Sequence, residues 1–138
     1  MFDPKMLAPC GLNCALCKRA LQKERPCQGC RGPLAYKSNY CLTKCTIWIC
    51  AKLADTDGFC DQCPDYPCEQ VMEKEIRYAE TYPLTESPIQ NLRAMRKDGM
   101  AAFLKAQEQQ WRCVRCGATM CVHTGKCAKC GFAADKRE

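Results

Sequence analysis

Histidine is almost missing from this chain, with one residue in 138 against 16 cysteines. A metal site held by sulfur is therefore the default expectation. Apolar side chains other than cysteine are sparse too. Taking the cysteines out of the 47% hydrophobic content leaves roughly 35%, below the ~45–50% usual for a globular domain. So small an apolar complement cannot stabilise a fold of this size by burial alone, and cross-links or metals must make up the deficit. No apolar run approaches the ~18 residues of a membrane span, so no membrane partner is expected. The opening segment Met1-Phe2-Asp3-Pro4-Lys5-Met6-Leu7 lacks the apolar stretch of a secretory signal. Both absences point to the cytoplasm, where structural disulfides are rare, and so favour metal ligation over S–S links. No alternation of strand and helix patterns runs along the chain, and basic residues do not alternate with aromatics as a base-stacking surface requires.

What is present is sulfur at short spacing. Five CxxC pairs occur: Cys14/Cys17, Cys27/Cys30, Cys60/Cys63, Cys113/Cys116 and Cys127/Cys130. Two thiolates so spaced can bind one ion from a single tight turn, and four close a tetrahedral site. The last two pairs read CxxCG and are joined by ten residues, Gly117 to Lys126. Glycine after the second cysteine permits positive φ and lets backbone N–H groups face the thiolates. Cys113, Cys116, Cys127 and Cys130 are thus predicted to hold one zinc in a zinc-ribbon β-hairpin turning at Thr124-Gly125. The same sulfurs suit a single rubredoxin-type iron, but the short connection and the lack of an aromatic cluster favour zinc. Cys121 and His123 fall inside this unit and read as a small buried thiol and a surface imidazole.

The first half offers more ligands and less certainty of pairing. Cys14, Cys17, Cys27 and Cys30 have the spacing of a second zinc site. A third set, chosen by proximity along the chain, is Cys45, Cys50, Cys60 and Cys63, with Cys10, Cys41 and Cys68 as alternative ligands. Cys10, Cys14 and Cys17 also share the Cx3Cx2C spacing of radical S-adenosylmethionine enzymes, but that enzyme needs a barrel of roughly 200 residues, which this chain cannot build. A plain [4Fe–4S] cluster in residues 10–68, with Cys68 as the distant ligand, stays open as the alternative to zinc there. No catalytic constellation emerges. Cys68 precedes a predicted helix and so could be an activated thiol, as could Cys10, but a ligand role is the simpler reading.

The chain divides into a loop-rich cysteine module at 1–68, a cysteine-free helical segment at 69–110, the ribbon at 111–132 and a frayed tail at 133–138. One loosely periodic helix is predicted within Cys41–Ala54. A helix from Glu69 to about Tyr78 should bury Val71, Met72, Ile76 and Ala79. Ser87-Pro88 reads as N-cap and first residue of the next helix, with Ile89, Leu92 and Met95 facing inward. Asp98-Gly99 ends it or caps a last helix whose core side is Met100, Phe103, Leu104 and Trp111. The fold class is a small metal-stabilised α+β protein. The formal charge of +6 lies wholly in residues 88–138, where 10 basic residues meet 4 acidic ones. A four-thiolate zinc site carries about −2, so Arg112, Arg115, Lys126 and Lys129 read first as local compensation and only second as a nucleic-acid face.

The run Ala8-Pro9-Cys10-Gly11-Leu12-Asn13-Cys14-Ala15-Leu16-Cys17, followed by Cys27-Gln28-Gly29-Cys30, Cys60-Asp61-Gln62-Cys63 and Asp65-Tyr66-Pro67-Cys68-Glu69, resembles domain-of-unknown-function family 3795. This is a cysteine-rich group of bacterial and archaeal proteins, and the resemblance covers roughly residues 6–70. It implies a cytosolic prokaryotic protein with several metals and carries over no catalytic residue. The functional expectation is a protein with about three structural zinc ions that acts by binding a protein or nucleic acid. The alternative is an iron–sulfur redox or electron-transfer protein with zinc only in the ribbon.

Overall fold

The computed structural model describes residues 2–134. From residue 135 on, the expected tail lies outside them. The first half is built of short turns. Helix α1 is Lys18–Leu21 and α2 is Asn39–Thr43, and single 3-10 turns lie at Cys14–Leu16, Leu34–Tyr36, Ile47–Ile49 and Cys60–Gln62. No single helix fills Cys41–Ala54. The chain instead breaks between α2 and the 3-10 segments Ile47–Ile49 and Ala51–Asp55. The β-branched Thr46, Ile47 and Ile49 suit a helix interior poorly, and Trp48 donates its indole N–H back to the Cys41 carbonyl at 2.7 Å.

Three full helices follow: α3 Glu69–Glu80, α4 Pro88–Asp98 and α5 Met100–Gln110. Ser87 caps α4 by accepting from the Gln90 N–H, with proline at the first position as predicted. Gly99 serves both neighbours. At φ 86° its N–H closes α4 on the Met95 carbonyl, and its own carbonyl accepts from Phe103 at the start of α5. On α3 the buried face is not the one predicted. Val71 and Lys74 are inside, while Met72 and Ile76 are exposed. Lys74 is accommodated because Tyr40 lies against it, accepting a hydrogen bond at 2.8 Å beneath a ring 4.3 Å from the ammonium. A buried cation with an aromatic and hydroxyl partner avoids the cost that an unpaired one would carry.

The expected α+β class is not what forms. Among the described residues there are no strands, only isolated bridges, three of them in the last segment: Arg112↔Thr119, Met120↔Cys127 and Lys126↔Ala133. The hairpin fails because its hydrogen bonds are diverted. Cys121 donates to the Lys126 carbonyl, but the next N–H, that of Val122, turns away to the Leu16 carbonyl at 3.0 Å, and Gly125 folds back on the Cys121 carbonyl. A ten-residue connection that diverts one of its donors to another part of the chain cannot sustain two paired strands.

Three apolar clusters organise the molecule. Leu16 and Leu84 pack with Trp111, Cys113, Met120, Val122 and Cys127. Leu7 packs with Leu92, Met95, Phe103 and Leu104. Ala8, Cys10, Ile47, Cys60 and Val71 form the third. Each draws on residues far apart in sequence, so the cysteine-rich turns and the helices share cores. Polar bonds add to this. Asn13 donates its backbone N–H to buried Glu86 at 2.6 Å, and the Asn91 amide bridges Glu86 and the Gly11 carbonyl.

Candidate metal centre

Two loops with the same hydrogen-bond pattern follow α5. The first is Arg112-Cys113-Val114-Arg115-Cys116-Gly117-Ala118 and the second Lys126-Cys127-Ala128-Lys129-Cys130-Gly131-Phe132. The hydrogen bonds repeat with the sequence. Gly117 N–H donates to the Cys113 carbonyl and Gly131 N–H to that of Cys127, while Cys113 N–H reaches the Ala118 carbonyl and Cys127 N–H that of Phe132. Both glycines sit at positive φ, 81° and 77°. A side chain at either would be strained in that conformation.

The two loops bring four sulfurs to one point. The Sγ atoms of Cys113, Cys116, Cys127 and Cys130 all lie within 4.8 Å of one another. The Cys113–Cys130 separation is 3.7 Å and the Cys116–Cys127 separation 3.4 Å. Tetrahedral ligation with metal–sulfur bonds of about 2.3 Å requires sulfurs about 3.8 Å apart, whereas a disulfide requires about 2.05 Å. The four-cysteine cluster therefore has the donor set and spacing for one metal ion. Backbone N–H groups face it, from Arg115 onto Cys113 and from Lys129 and Cys130 onto Cys127. Burial pushes the Cys127 thiol up, but the Cys130 and Lys129 N–H groups, together with the neighbouring Cys116 and Cys130 sulfurs, bring it down to about 6. Burial likewise opposes ionisation of Cys113, and the Cys116 and Arg115 N–H groups with the Cys130 sulfur lower its pKa on balance. Cys113 and Cys127 are buried in the apolar cluster, while Cys116 and Cys130 face outward.

All sixteen cysteines are unlinked. Among the described residues no other group of three or more Cys, His, Asp or Glu closes as tightly as the C-terminal four. Within the predicted second set, Cys14 meets Cys30 at 3.9 Å, and Cys10 and Cys45 pack in the same cluster. Cys17 has Cys27 and Cys41 as its sulfur neighbours instead. Of the predicted third set, Cys50, Cys60 and Cys63 share a recess with Cys68, and Cys45 does not line it. The surroundings of Cys10 do not favour its activation. Burial, the largest effect, pushes it well above the ordinary thiol range.

Two features of the site were not read from the sequence. Lys37 is buried, and its ammonium donates to the carbonyls of Gly29, Cys30 and Gly32, tying down the Cys27–Cys30 turn. A lysine seven residues beyond a CxxC pair gives no periodic signal. His123, read as a surface imidazole, is a half-buried link. Its Nδ1 accepts from the Lys18 N–H at 3.2 Å, and Nε2 pairs with the Tyr78 hydroxyl at 2.9 Å, with Tyr82 edge-on to the ring. An Nδ1 that accepts must be unprotonated, so Nε2 carries the hydrogen of the neutral ring. Burial is the main reason its pKa falls to about 4. Cys121 is buried, as predicted.

No helix among the described residues is long and apolar enough to cross a membrane. Compared with family models, curated proteins and solved structures, the chain finds no significant match in any of the three.

Proposed function

We propose that this chain is a metal-stabilised interaction module in which Cys113, Cys116, Cys127 and Cys130 hold one structural zinc ion. The observation that carries the reading is the convergence of four sulfurs, all within 4.8 Å, from two loops of matching conformation. Four protein ligands fill a tetrahedral shell and leave no position for substrate, which is the mark of a structural site. The ion's task here is conformational. It ties the two loops together, and Cys113 and Cys127 in turn anchor the cluster containing Trp111 and Leu16. Unlinked thiols suit a reducing compartment, so the cytoplasm is part of this proposal.

The interacting surface is polar and cationic around an apolar tip. Val114 is 84% exposed between the two cysteines of the first loop. Arg112, Arg115, Lys126 and Lys129 are exposed beside it, with the Arg115 guanidinium over the Phe132 ring. The partner class, protein or nucleic acid, is separated by salt. Phosphate contacts give a steep decline of affinity with ionic strength, and an apolar contact does not.

Elemental analysis and native mass spectrometry of the chain test the metal. Wild type should carry a zinc ion that Cys116→Ser loses and that substitution of a cysteine outside the four leaves in place. A Cys116→Ser protein with unchanged zinc content, or a C-terminal set that is oxidised and metal-free after reducing purification, would defeat the reading.

A further inference from the structure

Away from the C-terminal loops, four other cysteines wall a single recess. Cys50, Cys60, Cys63 and Cys68 line a hollow of about 180 Å³, completed by Leu53 and Tyr66. Each cysteine stands at the end of a helical element. Cys50 precedes the Ala51–Asp55 turn, Cys60 opens the Cys60–Gln62 turn and Cys63 closes it, and Cys68 is the N-cap of α3. The walls are fixed from outside. Cys60 N–H donates to the Pro9 carbonyl at 2.8 Å. Arg96 of α4 clamps the Asp57–Asp61 turn with four hydrogen bonds of 2.6–2.9 Å.

The arrangement differs from the C-terminal one in a way that bears on its ligand. No three of these four sulfurs come mutually within 4.8 Å, so they are too spread for a single ion, which needs about 3.8 Å. They surround a volume instead of a point. A polynuclear centre, whose bridging sulfides hold its metals apart, requires such spread ligands and such a volume. Its surroundings should also be largely apolar, since burial and solvent exclusion set its potential. Leu53 and Tyr66 provide this, and Lys52 with its partner Asp65 stands at the rim.

We propose that Cys50, Cys60, Cys63 and Cys68 are the four ligands of a cubane iron–sulfur cluster, [4Fe–4S], seated in this recess. The ligand set differs from the one that chain proximity selects, because Cys68 takes the place of Cys45, which lies with Cys10, Cys14 and Cys30. That exchange makes the proposal testable independently of the C-terminal zinc.

The full chain, purified without oxygen and reconstituted with ferrous iron and sulfide, should absorb near ~400 nm and contain about four iron and four sulfide per chain. Cys68→Ser and Cys63→Ser should each abolish or strongly reduce the band, and Cys45→Ser and Cys17→Ser should keep it. Retention of the C-terminal zinc in every variant reports that the chain still folds. Iron–iron scattering in X-ray absorption of the wild type gives a readout that needs no variant. A band that survives Cys68→Ser and is lost in Cys45→Ser would overturn the assignment. So would zinc in the recess in place of iron, or a reconstituted wild type with no iron and sulfide.

Discussion

Glu86 is the residue whose chemistry is most displaced by its surroundings. It is buried at 4% exposure, and one carboxylate oxygen accepts from the Asn13 N–H and the Asn91 amide. Burial is the dominant effect and raises its pKa to about 8, which those two donors only moderate. In the unfolded chain the carboxyl titrates near 4.5. Between about pH 4.5 and 8 the folded state therefore holds a proton that the unfolded state has released, and stability falls as pH rises through that window. Glu86→Gln keeps an acceptor for Asn13 and removes the titration. Its stability relative to wild type should climb from pH 5 to pH 8 by up to a few kcal/mol, measured by urea unfolding at each pH. A difference independent of pH would show that Glu86 is ionised in the fold. Nothing in the sequence around Glu86 announces this role, because its partners are 73 and 5 residues away. The Cys113–Cys130 set was legible because all four ligands come from two copies of one local turn. Cys68 was a candidate ligand from the start, but its neighbours in the recess are decided by how α3 meets the 60–63 turn.

Local rules read the helices well and the turns poorly. Ser87-Pro88 and Gly99 mark boundaries by backbone chemistry alone, and α4 and α5 begin and end at them. The buried face of α3 was misread because Tyr40, a distant residue, accepts Lys74. The predicted hairpin gave way to a single bond between Val122 and Leu16 that no strand pattern encodes. The first turns pack tightly against α4 at Gly11. Its φ is 105°, and a Cβ there would lie 2.1 Å from the Pro88 carbonyl oxygen and 2.8 Å from Leu92 Cγ. Gly11→Ala must either push α4 away or abandon its backbone conformation. It should cost at least about 2 kcal/mol, seen as a lower urea midpoint. Gly99→Ala has the same handedness penalty but nothing within 4 Å of the new methyl. It should cost less, and equal losses in the two variants would refute the packing argument.

At the scale of the molecule, the C-terminal loops are held to the rest by His123 as well as by the Leu16 cluster. The imidazole connects Lys18 at the start of α1 with Tyr78 on α3. Its folded pKa of about 4 lies below the ordinary 6.5, so its contribution is complete above about pH 6.5 and is lost as pH falls toward 4. Acid should loosen the joint between the loops and α3 before the helices melt. Trp111, 1% exposed in the adjoining cluster, is placed to report it. Its emission should shift to the red between pH 6 and 4 in wild type. His123→Gln, which cannot gain that charge, should show a smaller shift. The bond from Val122 to Leu16 also has a consequence for how the chain is made. Leu16 leaves the ribosome about a hundred residues before Trp111, Met120 and Val122, the side chains that cover it. A growing polypeptide thus displays an uncovered leucine until residues 111–122 emerge, and packing of the Leu16 cluster waits on their synthesis.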